Sequence, residues 1–213
     1  MATNALSPAK PSRTGRTRAA LIAAGLDLIA SRPIDAIAID EVVAAAGVAK
    51  GSFFNHFADK HAFADAVAAE VRAEVEEEVA RANAGRTDPV ARIAGGMAVA
   101  AAYALRSPRR TRVLLRGQRV AAMADHPLNR GLRADIEAAS ASGLLRRQAE
   151  ASGIAYWLGL CQMVMILLVE TQPPKAAAAQ QLGEMLAMGL AGLGIAEAHA
   201  AAVIGEVLEG WRA

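Results

Sequence analysis

Within seven residues the chain places Lys50, Ser52, Phe54, Asn55 and His56, and Lys60 follows four residues on. These side chains suit recognition of a nucleic acid. Lysine matches the two acceptors on the major-groove edge of guanine, asparagine matches the donor and acceptor of adenine, and an aromatic ring can pack on a thymine methyl. Lys50 and Asn55 are therefore expected to read base edges, with Ser52 and Phe54 lining a groove. His56 and Lys60 are expected to hold phosphates, which fix register without reading sequence.

Two short helices must position this tip. Ile39, Val42, Val43 and Ala46 fall at i, i+3, i+4 and i+7 and make one apolar helical face, with Asp40 and Glu41 pointing elsewhere. Gly47 follows, where a left-handed residue ends a helix without steric cost, and Val48 can plug the angle to the next helix. A second helix is predicted from about Lys50 to Phe57, burying Phe53 and Phe57 and leaving Lys50, Ser52, Phe54 and Asn55 outward. A helix, a glycine turn and a helix with an exposed polar tip form the helix-turn-helix that fits a DNA major groove. Leu21, Ile22, Gly25, Leu28 and Ile29 stripe a preceding helix, predicted from Thr14 or Arg16 to Ser31 and closed by Pro33.

The run AAGVAKGSFFNHFADKHAF resembles the recognition segment of the TetR family of bacterial transcriptional repressors, in which G-V-S-x-G-T-x-Y-x-H-F-x-x-K spans the turn and the recognition helix. Gly47, Val48, Gly51, His56, Phe57 and Lys60 match, and Ser52 stands for the threonine. Ala49 replaces the usual serine and Phe54 the usual tyrosine, so the hydrogen bond of that tyrosine to DNA is lost. Ala38 stands where the family often has a phosphate-binding threonine. The resemblance covers about residues 14 to 70. It implies an all-α fold: a three-helix DNA-binding domain followed by a larger helical domain that binds an effector and dimerises.

Composition agrees with an all-helical chain. The 213 residues are 54% hydrophobic and 4% aromatic, so a core must come from alanine, leucine, valine and methionine. A net charge of +2 makes local distribution the argument for nucleic acid. Lys10, Arg13, Arg16 and Arg18 are the sole charges of the first 18 residues. Residues 1–13 are read as a disordered basic arm, and Arg16 as a phosphate or minor-groove contact. The single cysteine, Cys161, excludes an internal disulfide, and four scattered histidines give no metal-ligand spacing, so no metal or cofactor is expected. The apolar run of a secretory signal is missing behind the basic start, and a reducing cytoplasm is the expected location.

Beyond the tip, Asp59 should cap a long helix to about Ala84, with Phe63, Val67, Val71, Val75 and Val79 as its seam. Glu76, Glu77 and Glu78 are read as a solvated face, since consecutive helical residues diverge. The break at Gly85 to Asp88 divides a DNA-binding domain over 14–85 from an effector and dimerisation domain over 86–213. Prolines and glycines punctuate the latter into helices at about 89–106, 108–125, 127–141, 147–171, 175–192 and 196–211. The stretch Ile154 to Val169 has 16 residues with Gln162 inside, too short for the roughly 20 that cross a bilayer. It is expected to be buried by its own domain and a second subunit. The resemblance implies that 147–171 and 175–192 form a four-helix bundle across a twofold axis, with Gly183, Ala187, Ala191 and Gly192 allowing close approach.

A pocket within 89–171 is expected to be lined by Met97, Ala101, Tyr103, Leu115, Met123, Trp157 and Met163, and to favour a hydrophobic or aromatic effector. Tyr103 and Trp157 could stack a ring, and Gln162 or Arg116 could supply one polar anchor. Arg109, Arg112, Arg116 and Arg119 share one helical side and are read first as a solvated face. The leading function is a ligand-responsive repressor that binds a palindromic operator as a homodimer. A helical enzyme using His126, His199 or Cys161 is the weaker alternative, because Cys161 sits in an apolar run that would keep its thiol inert. A dimeric protein of the same fold that reads no DNA is the third, supported by Phe54 and Ala38.

Overall fold

The computed structural model describes residues 13–117 and 129–212. Residues 1–12 of the expected arm, and Arg119, Met123 and His126, lie outside the described residues, while Arg13, expected to end the arm, begins the first helix. The chain forms two compact units, divided between Val67 and Ala68. That division falls inside a helix and not at the Gly85 break, because α4 has no punctuating residue there while its packing partners change.

In the first unit, α1 (Arg13–Ser31) precedes a short 3-10 turn (Ile34–Ala36), α2 (Ile39–Ala46), α3 (Lys50–Phe54) and the start of α4 (Lys60–Ala82). The α1 stripe buries Leu21, Ile22 and Ile29 with Val42 and Val43 of α2. Phe53, Phe57 and Phe63 form a cluster with ring centroids 5.0 to 5.5 Å apart. Gly25 is needed here, since a Cβ at that position would lie 2.5 Å from Phe63 Cζ and 2.7 Å from Val67 Cγ2. Gly47 takes the left-handed conformation, φ 65°, and Val48 N–H donates to the Val43 carbonyl at 3.0 Å. Asp59 caps α4, accepting from Ala62 N–H at 2.8 Å. The helix α3 stops at Phe54, three residues earlier than expected, so Asn55 and His56 belong to the turn that follows.

The second unit comprises the rest of α4 with α5 (Pro89–Arg106), α6 (Pro108–Arg116), α7 (Arg130–Ala141), α8 (Gln148–Thr171), α9 (Lys175–Leu193) and α10 (Glu197–Arg212). Helix α5 packs against α6, α7, α8, α9 and α10. Its small residues permit this crowding: Ala91, Ala94, Gly95, Ala98, Ala100, Ala101 and Ala104 are all buried. Proline opens α5 and α6, where the missing N–H would have no helical partner, and Asp88 accepts from Val90 N–H at 2.9 Å. Gly194 ends α9 at φ 96°, pressed against Arg146.

Helix α8 runs for 24 residues, longer than its apolar run alone implied, with a mean hydropathy of 1.9 over its most apolar window. By length and composition it could cross a membrane. Its own unit buries only one side: Gly153, Trp157, Val164, Met165 and Leu168 face inward while Tyr156, Gly159 and Met163 are exposed. On α9, Ala187, Met188 and Ala191 are exposed likewise, Met188 at 61%. Two of the glycines expected to admit a partner serve the protomer itself. A Cβ on Gly192 would strike the Tyr156 hydroxyl, and one on Gly183 would crowd Leu208 at 3.1 Å.

Candidate DNA-reading surface and ligand cavity

The tip of the first unit is solvent-facing. Lys50, Gly51 and Asn55 are exposed, Ser52 and His56 are half-buried, and Phe54 leaves 53% of its surface in water although Phe53 beside it is fully buried. The Phe54 ring meets that of Phe53 edge-to-face, with centroids 5.4 Å apart, and leaves its other side open to solvent. Gly51 has nothing within 4 Å of where a Cβ would sit, and its φ is not positive, so the fold does not require glycine there. Its bare backbone leaves room for close approach from outside.

Neighbouring carboxylates hold the two lysines. Lys50 Nζ lies 2.8 Å from Asp40 Oδ1, and Lys60 Nζ donates to the Asp35 carbonyl at 3.1 Å with the Asp35 carboxylate 3.5 Å away. Asp40, read from sequence as pointing elsewhere, thus reaches the first residue of α3. Ala38 cannot cap α2 with a side chain, but Glu41 accepts from Ala38 N–H at 3.0 Å and pairs with Arg32. Those two contacts, the backbone bond foremost, hold the Glu41 carboxyl below the usual range. Arg16 is exposed on the first turns of α1, and Arg18 lies over the Phe57 ring, 5.7 Å from its centroid.

The second unit contains a cavity of about 470 Å³, of the size that takes small ligands. Trp157 and Gln162 line it. Met97, Tyr103, Arg116 and Met163 do not. Met97 is sealed in the core, Met163 and Arg116 are exposed, and the Tyr103 hydroxyl is spent on Glu74, to which it donates at 2.9 Å. Burial, reinforced by that bond, pushes the Tyr103 hydroxyl up to about 12. Arg110 pairs with the same Glu74 and Arg106 with Glu78, so these two arginines are matched by α4 acids. Ala101 and Leu115 also miss the cavity, whereas Ala100 and Leu114 reach it: a one-residue phase error, about 100° around a helix.

The expectation of an apolar lining with few polar groups is overturned. Arg72 and Glu76 of α4, Arg92 of α5, and Asn129 and Asp135 at α7 all line the cavity. Arg72 is 9% exposed; its Nη2 donates to Asn129 Oδ1 at 2.7 Å, while its Nε has no hydrogen-bond partner. Glu76 is half-buried on the cavity wall and so is not part of a solvated face; burial raises its carboxyl and Arg72 opposes that shift. Arg92 Nε donates to Asp135 Oδ1 at 2.6 Å. Asp135 is also raised by burial, with the Arg92 bond opposing. The Cys161 thiol on the cavity wall is pushed up to about 12 by burial, which keeps it protonated and unreactive. His199 lies outside the cavity, its Nε2 2.8 Å from Asp88 Oδ2. The missed pair had a signal: Arg72 and Glu76 are four residues apart and each directly follows a valine of the α4 seam.

Residues 21–67 match the family model of bacterial regulatory proteins, tetR family. No curated protein matches the chain. Among solved structures, a tetR family transcription regulator from Shewanella sp. PV-4 is similar, with a TM-score of 0.73 and 18% identity over 83% of this chain and 97% of that one. RolR without ligand has a TM-score of 0.60 and 18% identity, covering 88% of this chain and 96% of its own. A gamma-butyrolactone receptor described as ArpA-like has a TM-score of 0.60 and 20% identity, covering 93% of this chain and all of its own. At these identities the structures speak for the fold, and the sequence match speaks for the DNA-binding unit. With its helix-turn-helix and this match, the first unit carries the DNA-binding domain of the bacterial regulatory proteins, tetR family, over residues 21–67, and the whole chain has the all-helical fold of tetR family transcription regulators.

Proposed function

We propose that this regulator is a repressor that binds a palindromic operator as a homodimer in the cytoplasm and is released by a small molecule occupying the cavity of the second unit. The observation that carries the DNA role is the exposed tip. Phe54 leaves half its surface in water and Gly51 is bare where the fold does not need glycine, beside Lys50 and Asn55, whose chemistry suits base edges. Arg16, Ser52, His56 and Lys60 complete the proposed contacts. The third reading, a fold that reads no DNA, gains nothing from this surface.

The dimer reading rests on α8 and α9, whose exposed apolar residues Tyr156, Met163 and Met188 make a face that a second copy would cover. The effector reading rests on the cavity and on its polar groups. Similar folds have been solved with resorcinol, in RolR, and as a gamma-butyrolactone receptor. Release requires the effector to bind the non-binding conformation better than the DNA-ready one, since equal affinity shifts nothing. Helix α4, 23 residues long, begins at Lys60 and carries Arg72 and Glu76 to the cavity wall, which makes it the proposed lever. The test is a gel-shift titration on the DNA upstream of the protein's own gene, repeated with ligands found by thermal shift. Binders that leave operator affinity untouched would refute the switch.

A further inference from the structure

Two oppositely charged side chains one helical turn apart, Arg72 and Glu76, line a cavity whose remaining wall includes Trp157, Val75 and Met165. Apart from Arg130, the fixed charges of the lining come in matched sets. Arg92 is bonded to Asp135 at 2.6 Å, and Arg72 is opposed electrostatically by Glu76. Arg130 also lines the cavity but is exposed, so water screens its charge. A ligand anion would meet Glu76 and a ligand cation would meet Arg72, and either would have to shed its hydration without a net countercharge. A purely apolar ligand is also disfavoured, because it would leave buried donors without partners. The Arg72 side chain is nine-tenths buried and its Nε hydrogen has no acceptor.

We propose that the cavity selects an uncharged molecule bearing a hydroxyl group, which accepts a hydrogen bond from the Arg72 guanidinium and donates one to the Glu76 carboxylate, with its apolar body against the Trp157 wall. This rests on the reading of the cavity as the effector site. A single hydroxyl offers one donor and two acceptor lone pairs, which suits adjacent groups of opposite role. The cavity, about 470 Å³, holds a ring compound with substituents.

The test is calorimetric titration of the full-length protein with four probes of similar body: resorcinol, benzoate, benzylamine and toluene. Resorcinol should bind most tightly. Glu76→Gln, close to isosteric, leaves Arg72 unopposed, so it should weaken resorcinol and strengthen benzoate, moving their affinity ratio by about ten-fold or more. Tightest binding of benzoate, benzylamine or toluene by the unsubstituted protein overturns the proposal, as does binding of none of the four. An unchanged ratio in Glu76→Gln does so too, and the ranking in the unsubstituted protein stands as a test if that variant does not fold. Operator affinity of the occupied protein is a separate readout: its indifference would refute the regulatory reading while leaving the ligand class intact.

Discussion

Lys50 Nζ and Asp40 Oδ1 lie 2.8 Å apart, so the first side chain of the recognition helix is tied to the helix before it. Both groups are more than half exposed, and such pairs contribute about 0–1 kcal/mol. Asp40→Asn should therefore leave stability nearly unchanged. It should raise affinity for all DNA sequences by freeing the ammonium and removing a charge that repels phosphates. Fluorescence anisotropy at several salt concentrations would register this as a uniform gain, and weaker binding would show that Asp40 positions Lys50 for its contact.

Two glycines separate folding from recognition. Gly25→Ala would push a methyl to 2.5 Å from Phe63, and overpacking of this kind costs about 1–3 kcal/mol. Gly51→Ala meets nothing within 4 Å and gains up to about 1 kcal/mol of helix propensity. Denaturant melts should show the first variant destabilised and the second not, while operator binding should weaken for Gly51→Ala. Full binding by Gly51→Ala would mean that DNA does not approach that backbone.

The proposed subunit seam is tested by Met188→Glu. Met188 is 61% exposed in the protomer, so a carboxylate there spares the fold but becomes unpaired and buried in the dimer. Sedimentation should report folded monomers with reduced operator binding. Leu186 is 0% exposed, so Leu186→Glu would break the protomer itself and is the wrong probe. A Met188→Glu protein that remains dimeric would place the interface elsewhere.

Glu76 gives a pH signature. Burial raises its carboxyl above the ordinary glutamate range, so the folded state holds that proton more tightly than the unfolded state does. Stability from this group is therefore lost as pH rises from the ordinary carboxylate range through the raised value. Glu41 and Asp59, both lowered by backbone hydrogen bonds foremost, act in the opposite sense and lose their contribution as pH falls. Melting temperatures of Glu76→Gln should decline less than those of the unsubstituted protein as pH rises from about 4.5. Parallel profiles would show that Glu76 is well solvated.

Much of the fold was legible because prolines, glycines and Asp59 mark helix ends by backbone chemistry that no tertiary contact alters. The reading tip was legible for a similar reason: its buried and exposed residues alternate between Phe53 and Phe54, and the turn needs Gly47. The cavity was not. Helices α5 and α8 are apolar over most of their surface, so their sequences carry little phase information, and Met163 was chosen beside Gln162 where Met165 lines the wall. Along α4 the divergence of consecutive residues argues against a metal site, and it also sends Glu76 to the cavity while Glu78 meets Arg106 and Glu77 pairs with Arg81.

Footprinting of the purified protein on the DNA upstream of its gene is the most direct test of operator recognition. Two protected half-sites related by a palindrome are expected, centred about 34–36 Å apart or a multiple of that. Asn55→Ala should relax the preference among mutated operators by about 1–3 kcal/mol at one position per half-site, while Lys60→Ala should weaken all sequences alike. Protection that is absent, or an operator ranking that Asn55→Ala leaves unchanged, would contradict the assignment of this surface to base reading.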